Sequence, residues 1–151
     1  MTSPAAAVWL RALSNSNGRV ATIGHCSGGR QSFLASTEPS VAADAAIVCY
    51  GGLIVGEPRP QFSSMVPLLD RAAQIRCPIL GLFGNEDQFP TAAQVDEIEN
   101  ALRDNAKTYE FHRYDGAGHA FFSPDRPSYR VEAALDGWQR IATFLRTHEA
   151  A

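Results

Sequence analysis

The sequence predicts an α/β protein with about four parallel strands and helices on both faces of the sheet. Three observations predict it. Short β-branched or apolar runs recur near residues 19–24, 45–50, 78–83 and 108–114, with amphipathic segments between them. Two of them, Ala45-Ala46-Ile47-Val48-Cys49-Tyr50 and Ile79-Leu80-Gly81-Leu82-Phe83, are apolar without alternation, as in strands covered on both sides. Strands alternating with helices imply a parallel sheet joined by right-handed crossovers. No repeat, low-complexity tract or long linker divides the 151 residues, so 1–151 is expected to be a single domain able to bury an adequate core.

Taken in order, Ser3-Pro4 reads as an N-cap followed by proline at the first helical position. Val8, Trp9 and Leu13 then make one short amphipathic face. Asn15 to Gly18 is a turn and Arg19 to Gly24 the first strand, after which Gly24-His25-Cys26-Ser27-Gly28-Gly29 passes into a helical stretch from Arg30 to Ala35. The second strand ends at Gly51-Gly52. From Leu53 to Leu69 no period holds, and Pro58, Pro60 and Pro67 break any helix; a loop this long in a compact domain is often functional. Cys77-Pro78 leads into the third strand, which opens into Gly84-Asn85-Glu86-Asp87. Thr91 and Gln94 form a capping box for a helix with Val95, Ile98 and Leu102 on one side. Residues 108–114 alternate like a strand, and Asp115-Gly116-Ala117-Gly118-His119 is the loop beyond it. The closing helix keeps a 3.6-residue period at Val131, Leu135, Trp138, Ile141, Ala142 and Leu145, with Ser128 as the candidate cap.

Composition excludes several function classes. Lys and Arg number 13 against 16 acidic residues, giving a net charge of −3, and they are scattered, so no nucleic-acid surface is expected. No apolar run approaches bilayer length, and the run Ala5 to Leu10 has no basic region before it and is broken by Arg11. Neither a membrane span nor a signal peptide is therefore expected. Three cysteines, Cys26, Cys49 and Cys77, lack metal-ligand spacing; Cys49 and Cys77 read as core fillers, and a reducing, cytoplasmic setting is the simplest home. No metal is expected from this spacing.

The stretch that carries chemistry is Gly24-x-Cys26-x-Gly28 between a β-branched strand and a helix. This is the strand, tight turn and helix of a nucleophile elbow, with cysteine in the place usually held by serine. Gly24 and Gly28 suit the sharp turn and close backbone approach of a strained nucleophile. Cys26 would sit at a helix N-terminus, where the dipole favours thiolate over thiol, and the Ser27 amide would supply one oxyanion-hole donor. Read alone, such a cysteine is as readily a buried small hydrophobe. Further along the chain, Asp87 and His119 also follow strand ends, the rim at which open α/β sheets bind ligands. His119 can take the thiol proton, and Asp87 can accept from the other ring nitrogen and fix its tautomer.

The rival residues have simpler readings. His25 packs sideways at the elbow, His112 is a solvent-facing strand residue, and His148 lies in a tail that frays. Ser27 is an alternative nucleophile, although the glycines centre the motif on Cys26, and Glu86 could exchange with its neighbour Asp87. Asp115 and Asp125 form turns. Trp138 belongs to the core. Arg59, Arg113, Arg126 and Arg130 could meet an anionic substrate but are by default solvated.

Three motifs together resemble the dienelactone hydrolase family, the carboxymethylenebutenolidase-like branch of the α/β-hydrolases. They are Gly24-His25-Cys26-Ser27-Gly28-Gly29-Arg30, Leu82-Phe83-Gly84-Asn85-Glu86-Asp87-Gln88-Phe89-Pro90 and Tyr114-Asp115-Gly116-Ala117-Gly118-His119-Ala120-Phe121-Phe122, with Arg126-Pro127-Ser128-Tyr129 before the closing helix. The likeness runs along almost the whole chain, and the order nucleophile, acid, histidine is that of the α/β-hydrolases. It implies Cys26 as nucleophile, Asp87 as triad acid and His119 as base, and hydrolysis of enol-lactone or ester bonds through an acyl-thiol intermediate without cofactor. Family members begin well upstream, so the chain is expected to be the C-terminal part of that fold, a truncated α/β-hydrolase. The loop giving a second oxyanion donor, a glutamate that pairs with the resting cysteine and a carboxylate-binding arginine would then have no counterpart. Ser123 stands where the family has a second arginine.

The expected function is thiol-dependent hydrolysis of a small ester or lactone. The alternatives are a catalytically silent module that oligomerises or binds a small molecule, and one piece of a split enzyme. In such a truncated sheet the elbow strand becomes an apolar edge, an aggregation hazard unless covered, and a homodimer pairing along it is expected.

Overall fold

The structure is a computed structural model and describes residues 4–57 and 65–149. Its elements are α1 (Pro4–Arg11), β1 (Ala21–His25), α2 (Ser27–Thr37), β2 (Ala45–Cys49), a 3-10 helix (Leu69–Gln74), β3 (Ile79–Gly84), α3 (Ala92–Asp104), β4 (Tyr109–Tyr114) and α4 (Val131–Glu149). The four strands form one parallel sheet in the order β1-β2-β3-β4, with Ile23 opposite Ile47, Ile47 opposite Leu80 and Leu80 opposite Glu110. Each expected strand is present within two residues of its expected ends. The cap at Ser3, and the part of the long loop that holds Pro58, Arg59 and Pro60, lie outside the described residues.

The period-two geometry of the central strands sorts their side chains into two cores. Ala46, Val48, Ile79 and Phe83 face a layer built from Phe33 of α2, Val95, Ile98 and Leu102 of α3, Ala72 of the 3-10 helix and Ala7 of α1. Ala45, Ile47, Cys49, Leu80 and Leu82 face the opposite way, onto Ala133, Ala134, Ile141 and Phe144 of α4 and the loop residues Ala117, Phe121 and Phe122. Being covered twice, β2 and β3 bury every residue, which is why they read as unbroken apolar runs. The edge strands β1 and β4 are only half covered. On β1 the polar Thr22 is tolerated inside because its hydroxyl bonds that of Ser32 on α2 at 2.8 Å.

The capping box of α3 forms as expected: the Thr91 hydroxyl accepts from the Gln94 amide, and the Gln94 side chain accepts from the Thr91 amide at 3.0 Å. Three other expectations are corrected. Val8 and Trp9 do not bury a face of α1; they are 66% and 63% exposed, and Ala7 makes the core contact. α4 begins at Val131, directly after Arg130, whose carbonyl accepts from the Ala134 amide, so Ser128 stands in the preceding turn and not at the cap. Trp138 is not core. Along α4 the buried residues are Ala133, Ala134, Gly137, Ile141 and Phe144, while Val131, Leu135 and Trp138 are each more than half exposed. The period was legible, but the helix turns its small residues to the sheet over its first two turns.

Among the described residues no helix is long and apolar enough to cross a membrane. Cys49 and Cys77 are buried, and burial pushes both thiols up to about 12.

Candidate active site

Because all four strands are parallel, their C-terminal ends share one rim. β1 ends at His25 and hands directly to Cys26, which stands before the first residue of α2 with φ 57° and ψ −121°. That conformation is strained for any residue but glycine, and such strain concentrates at functional positions. Two bonds hold it: the Cys26 amide donates to the Cys49 carbonyl at 3.1 Å, and its carbonyl accepts from the Arg30 amide at 3.2 Å. The turn is so tight that a Cβ placed on Gly24 would lie 2.0 Å from the Gly28 carbonyl oxygen. Gly24 is therefore required. Gly28 is not: a Cβ there would meet nothing within 4 Å, and it is the backbone of Gly28, not its missing side chain, that the elbow uses.

Cys26 is the exposed one of the three thiols. Ser27, first in α2, belongs to the turn whose amides have no carbonyl one turn earlier to bond, so its N–H is available at the helix start.

Asp87 follows β3 after a two-residue turn in which the Glu86 amide bonds the Ala117 carbonyl. Its side chain is 1% exposed and accepts two hydrogen bonds, from the Phe89 amide at 2.7 Å and from His119 Nδ1 at 2.9 Å. Glu86, its rival, is exposed. His119 sits on the loop after β4, and Ala120 behind it turns the chain with φ 63°, sending Phe121 and Phe122 into the core. The bond to Asp87 raises the imidazole to about 9, against burial, which lowers it. The Cys26 sulfur lies within interaction range of the same ring and also supports its protonated form, without the short, well-aligned hydrogen bond that Asp87 makes. A nucleophile–base contact is often loose before substrate arrives.

Thus Cys26, Asp87 and His119, 61 and 93 residues apart from the first to the others, meet at one rim. The other histidines do not join them. His25 packs sideways among Tyr50, Phe122 and Trp138, with ring centroids at 5.6, 5.2 and 6.2 Å. His112 pairs with Glu110 on β4 and is only 20% exposed, more covered than expected. His148 does not lie in a frayed tail but in α4, its ring 4.5 Å from that of Phe144. Asp115 accepts a hydrogen bond from the Asn85 side chain at 2.6 Å, as a turn residue does.

One residue at the rim escaped the sequence reading. Tyr50, just past β2, was read only as the end of an apolar run. Its ring stands 5.2 Å from that of His119, and the Ser123 side chain lies within interaction range of its hydroxyl. A hydroxyl-bearing aromatic at a strand end, directly before Gly51-Gly52, was the available signal. Among the described residues no group of three or more His, Cys, Asp or Glu side chains is arranged to hold a metal ion.

Comparison with known proteins gives the chain's family. The dienelactone hydrolase family matches residues 2–149. A Methylorubrum extorquens protein assigned as a carboxymethylenebutenolidase is 39% identical over 136 residues, covering 88% of this chain and 44% of that protein. The crystal structure of a protein assigned as a dienelactone hydrolase from Klebsiella pneumoniae superposes with a TM-score of 0.78 at 34% identity, over 91% of this chain and 56% of the other. At 17% identity, an α/β hydrolase from a deep-sea metagenome library shares the fold, with a TM-score of 0.77 over 95% of this chain and 62% of that one. The chain spans about half the length of the curated relatives it matches. With the parallel sheet, the glycine-tight elbow and the match over nearly its full length, the chain belongs to the dienelactone hydrolase family of α/β-hydrolases.

Proposed function

We propose that this protein hydrolyses a small carboxylic ester or enol-lactone with Cys26 as nucleophile, His119 as base and Asp87 as the acid that orients it. The observation that carries the reading is His119 itself: one ring nitrogen is fixed to a buried carboxylate at 2.9 Å, and the ring lies within range of the exposed thiol at a strained elbow.

In the first half-reaction the Cys26 thiol passes its proton to His119, whose protonated form Asp87 favours, and the sulfur attacks the acyl carbon as thiolate. The tetrahedral oxyanion is stabilised by the Ser27 amide. The C–O bond then breaks, and the imidazolium returns its proton to the leaving oxygen, which in a lactone remains tethered to the acyl chain. Water deprotonated by His119 attacks the thioester, the C–S bond breaks, and the proton goes back to sulfur. No cofactor enters any step. Asp87 holds the ring tautomer through Nδ1 in every step.

Hydrolysis of p-nitrophenyl acetate and of a model enol-lactone, wild type against Cys26→Ala, tests the reading. Wild-type turnover lost in the variant supports it, and equal rates in the two overturn it in favour of a silent binding module.

The proposal extends to assembly. β1 is an edge strand carrying Ile23 at 48% exposure, and Leu135 and Trp138 of α4 are exposed as well, so a second copy is proposed to cover this edge. Size-exclusion chromatography with light scattering is expected to give a dimer; a stable monomer at micromolar concentration contradicts it.

A further inference from the structure

We infer that Tyr50 is a positioning residue for His119, holding the imidazole so that the nitrogen not bonded to Asp87 faces the Cys26 sulfur. The inference rests on the triad proposed above and adds a fourth side chain to it.

Asp87 alone cannot fix the ring. A single hydrogen bond at Nδ1 leaves the imidazole free to swing about that contact, and the distal nitrogen moves most when it does. A second contact on the ring is needed, and Tyr50 makes it: the two rings meet at 66° with centroids 5.2 Å apart, an edge-to-face arrangement. Tyr50 is itself immobilised. It is 2% exposed, its ring packs against Phe121 at 5.4 Å and His25 at 5.6 Å, and its amide donates to the Leu82 carbonyl at 2.8 Å. The sheet thus holds the tyrosine, and the tyrosine holds the histidine.

Two features separate this role from plain core filling. The first is the backbone. Tyr50 has φ 39°, a left-handed conformation that strains a non-glycine residue, although Gly51 and Gly52 follow directly. A turn needing only that backbone would be made more easily with glycine at 50, so the side chain is what the position retains. Cys26 and Ala120, the residue after His119, share positive φ, so three strained non-glycine residues surround the imidazole. The second feature is the hydroxyl. It lies within interaction range of Ser123, four residues past His119 on the same loop. Tyr50 therefore faces that loop at two points, packing on the His119 ring and presenting its hydroxyl towards Ser123, and the Ala120 reversal lies between them. Any large apolar residue would fill the space, but only a tyrosine offers both the ring and the hydroxyl.

The test measures two quantities in the full chain: the rate at which iodoacetamide alkylates Cys26 as a function of pH, followed on its peptide, and kcat and KM for p-nitrophenyl acetate. Tyr50→Leu is expected to lower kcat about 10- to 100-fold, with KM within about 3-fold, and to shift the alkylation profile towards that of a free thiol. Tyr50→Phe and Ser123→Ala, which keep the ring and remove only the polar interaction between the two side chains, are each expected to lower kcat about 3- to 10-fold with KM unchanged. A folded Tyr50→Leu with wild-type kcat and alkylation profile overturns the inference. If Tyr50→Leu does not fold, the other two variants decide, and wild-type kcat in both overturns it. His119→Ala separates the layers. If it leaves the alkylation profile unchanged, the triad falls and the role of Tyr50 with it; if it abolishes the profile while the Tyr50 and Ser123 variants do not alter it, only the positioning role falls.

Discussion

Replacing Asp87 by asparagine isolates the electrostatic half of the site, because the amide keeps the shape and the oxygen that accepts from the Phe89 amide while removing the charge. In the folded protein the bond to Asp87 raises His119 from its ordinary 6.5 to about 9. At 1.36 kcal/mol for each pH unit this corresponds to an upper bound of roughly 3.4 kcal/mol favouring the protonated, folded form. The carboxylate is 1% exposed but the imidazole 32%, so solvent screening reduces the usable value to about 1.5–2 kcal/mol. The sign follows from linkage: a folded-state value above the unfolded one gives stability that is full below pH 6.5 and is lost as pH rises through about 9. Wild type should lose that 1.5–2 kcal/mol across the interval, seen as a fall in melting temperature of about 3–8 °C. Asp87→Asn should begin lower by a similar amount at pH 6 and show little of this slope. The assays are thermal melts across the pH range and the NMR titration of the His119 ring, whose midpoint should drop towards the ordinary value in the variant. Parallel melting-temperature curves for the two proteins, or an unmoved His119 midpoint, would refute the reasoning. On the proposed mechanism the same variant should lose on the order of 10⁴ in kcat, the size of an acid-to-amide change in a serine triad.

The elbow geometry sets opposite expectations for its two glycines. Gly24→Ala forces a methyl to 2.0 Å from the Gly28 carbonyl and should cost about 3 kcal/mol or more in urea unfolding, whereas Gly28→Ala, with open space at that point, should be neutral or stabilising by up to about 1 kcal/mol. Thr91→Ala removes the capping box of α3 and should lower stability by about 1 kcal/mol without touching esterase activity. Phe144→Ala should cost about 3–5 kcal/mol by denaturant titration, while Trp138→Gln, at a half-exposed position with one edge-to-face contact to Phe122, should cost no more than about 1.5 kcal/mol.

The sheet was legible because β2 and β3 are buried on both faces, so their composition alone marks them as strands. The candidate site was legible because its parts follow those strands: a parallel sheet sends every strand end to one rim, and glycines at 24, 84 and 118 punctuate the loops that carry Cys26, Asp87 and His119. What composition could not give is which side of a helix meets the sheet. α4 has apolar residues around much of its circumference, and its small residues Ala133, Ala134 and Gly137 approach closely enough that a Cβ on Gly137 would lie 2.3 Å from the Phe122 ring. The bulky Trp138 and Leu135 are left outside. Tyr50 was illegible for a related reason: its role comes from a contact with a ring 69 residues away and from a left-handed φ that no local pattern announces. The residues alone left Asp87 and Glu86 exchangeable and the family resemblance implied Asp87; the turn after β3 buries the Asp87 carboxylate and leaves Glu86 exposed.

The covalent intermediate tests the account most directly. Quenching His119→Ala after exposure to p-nitrophenyl acetate at alkaline pH, where thiolate forms without a base but deacylation lacks one, and mapping the adduct by peptide mass spectrometry should find an acetyl thioester on Cys26. Acetyl found on Ser27 instead, or on no residue of the elbow while wild type still turns over, would contradict the account.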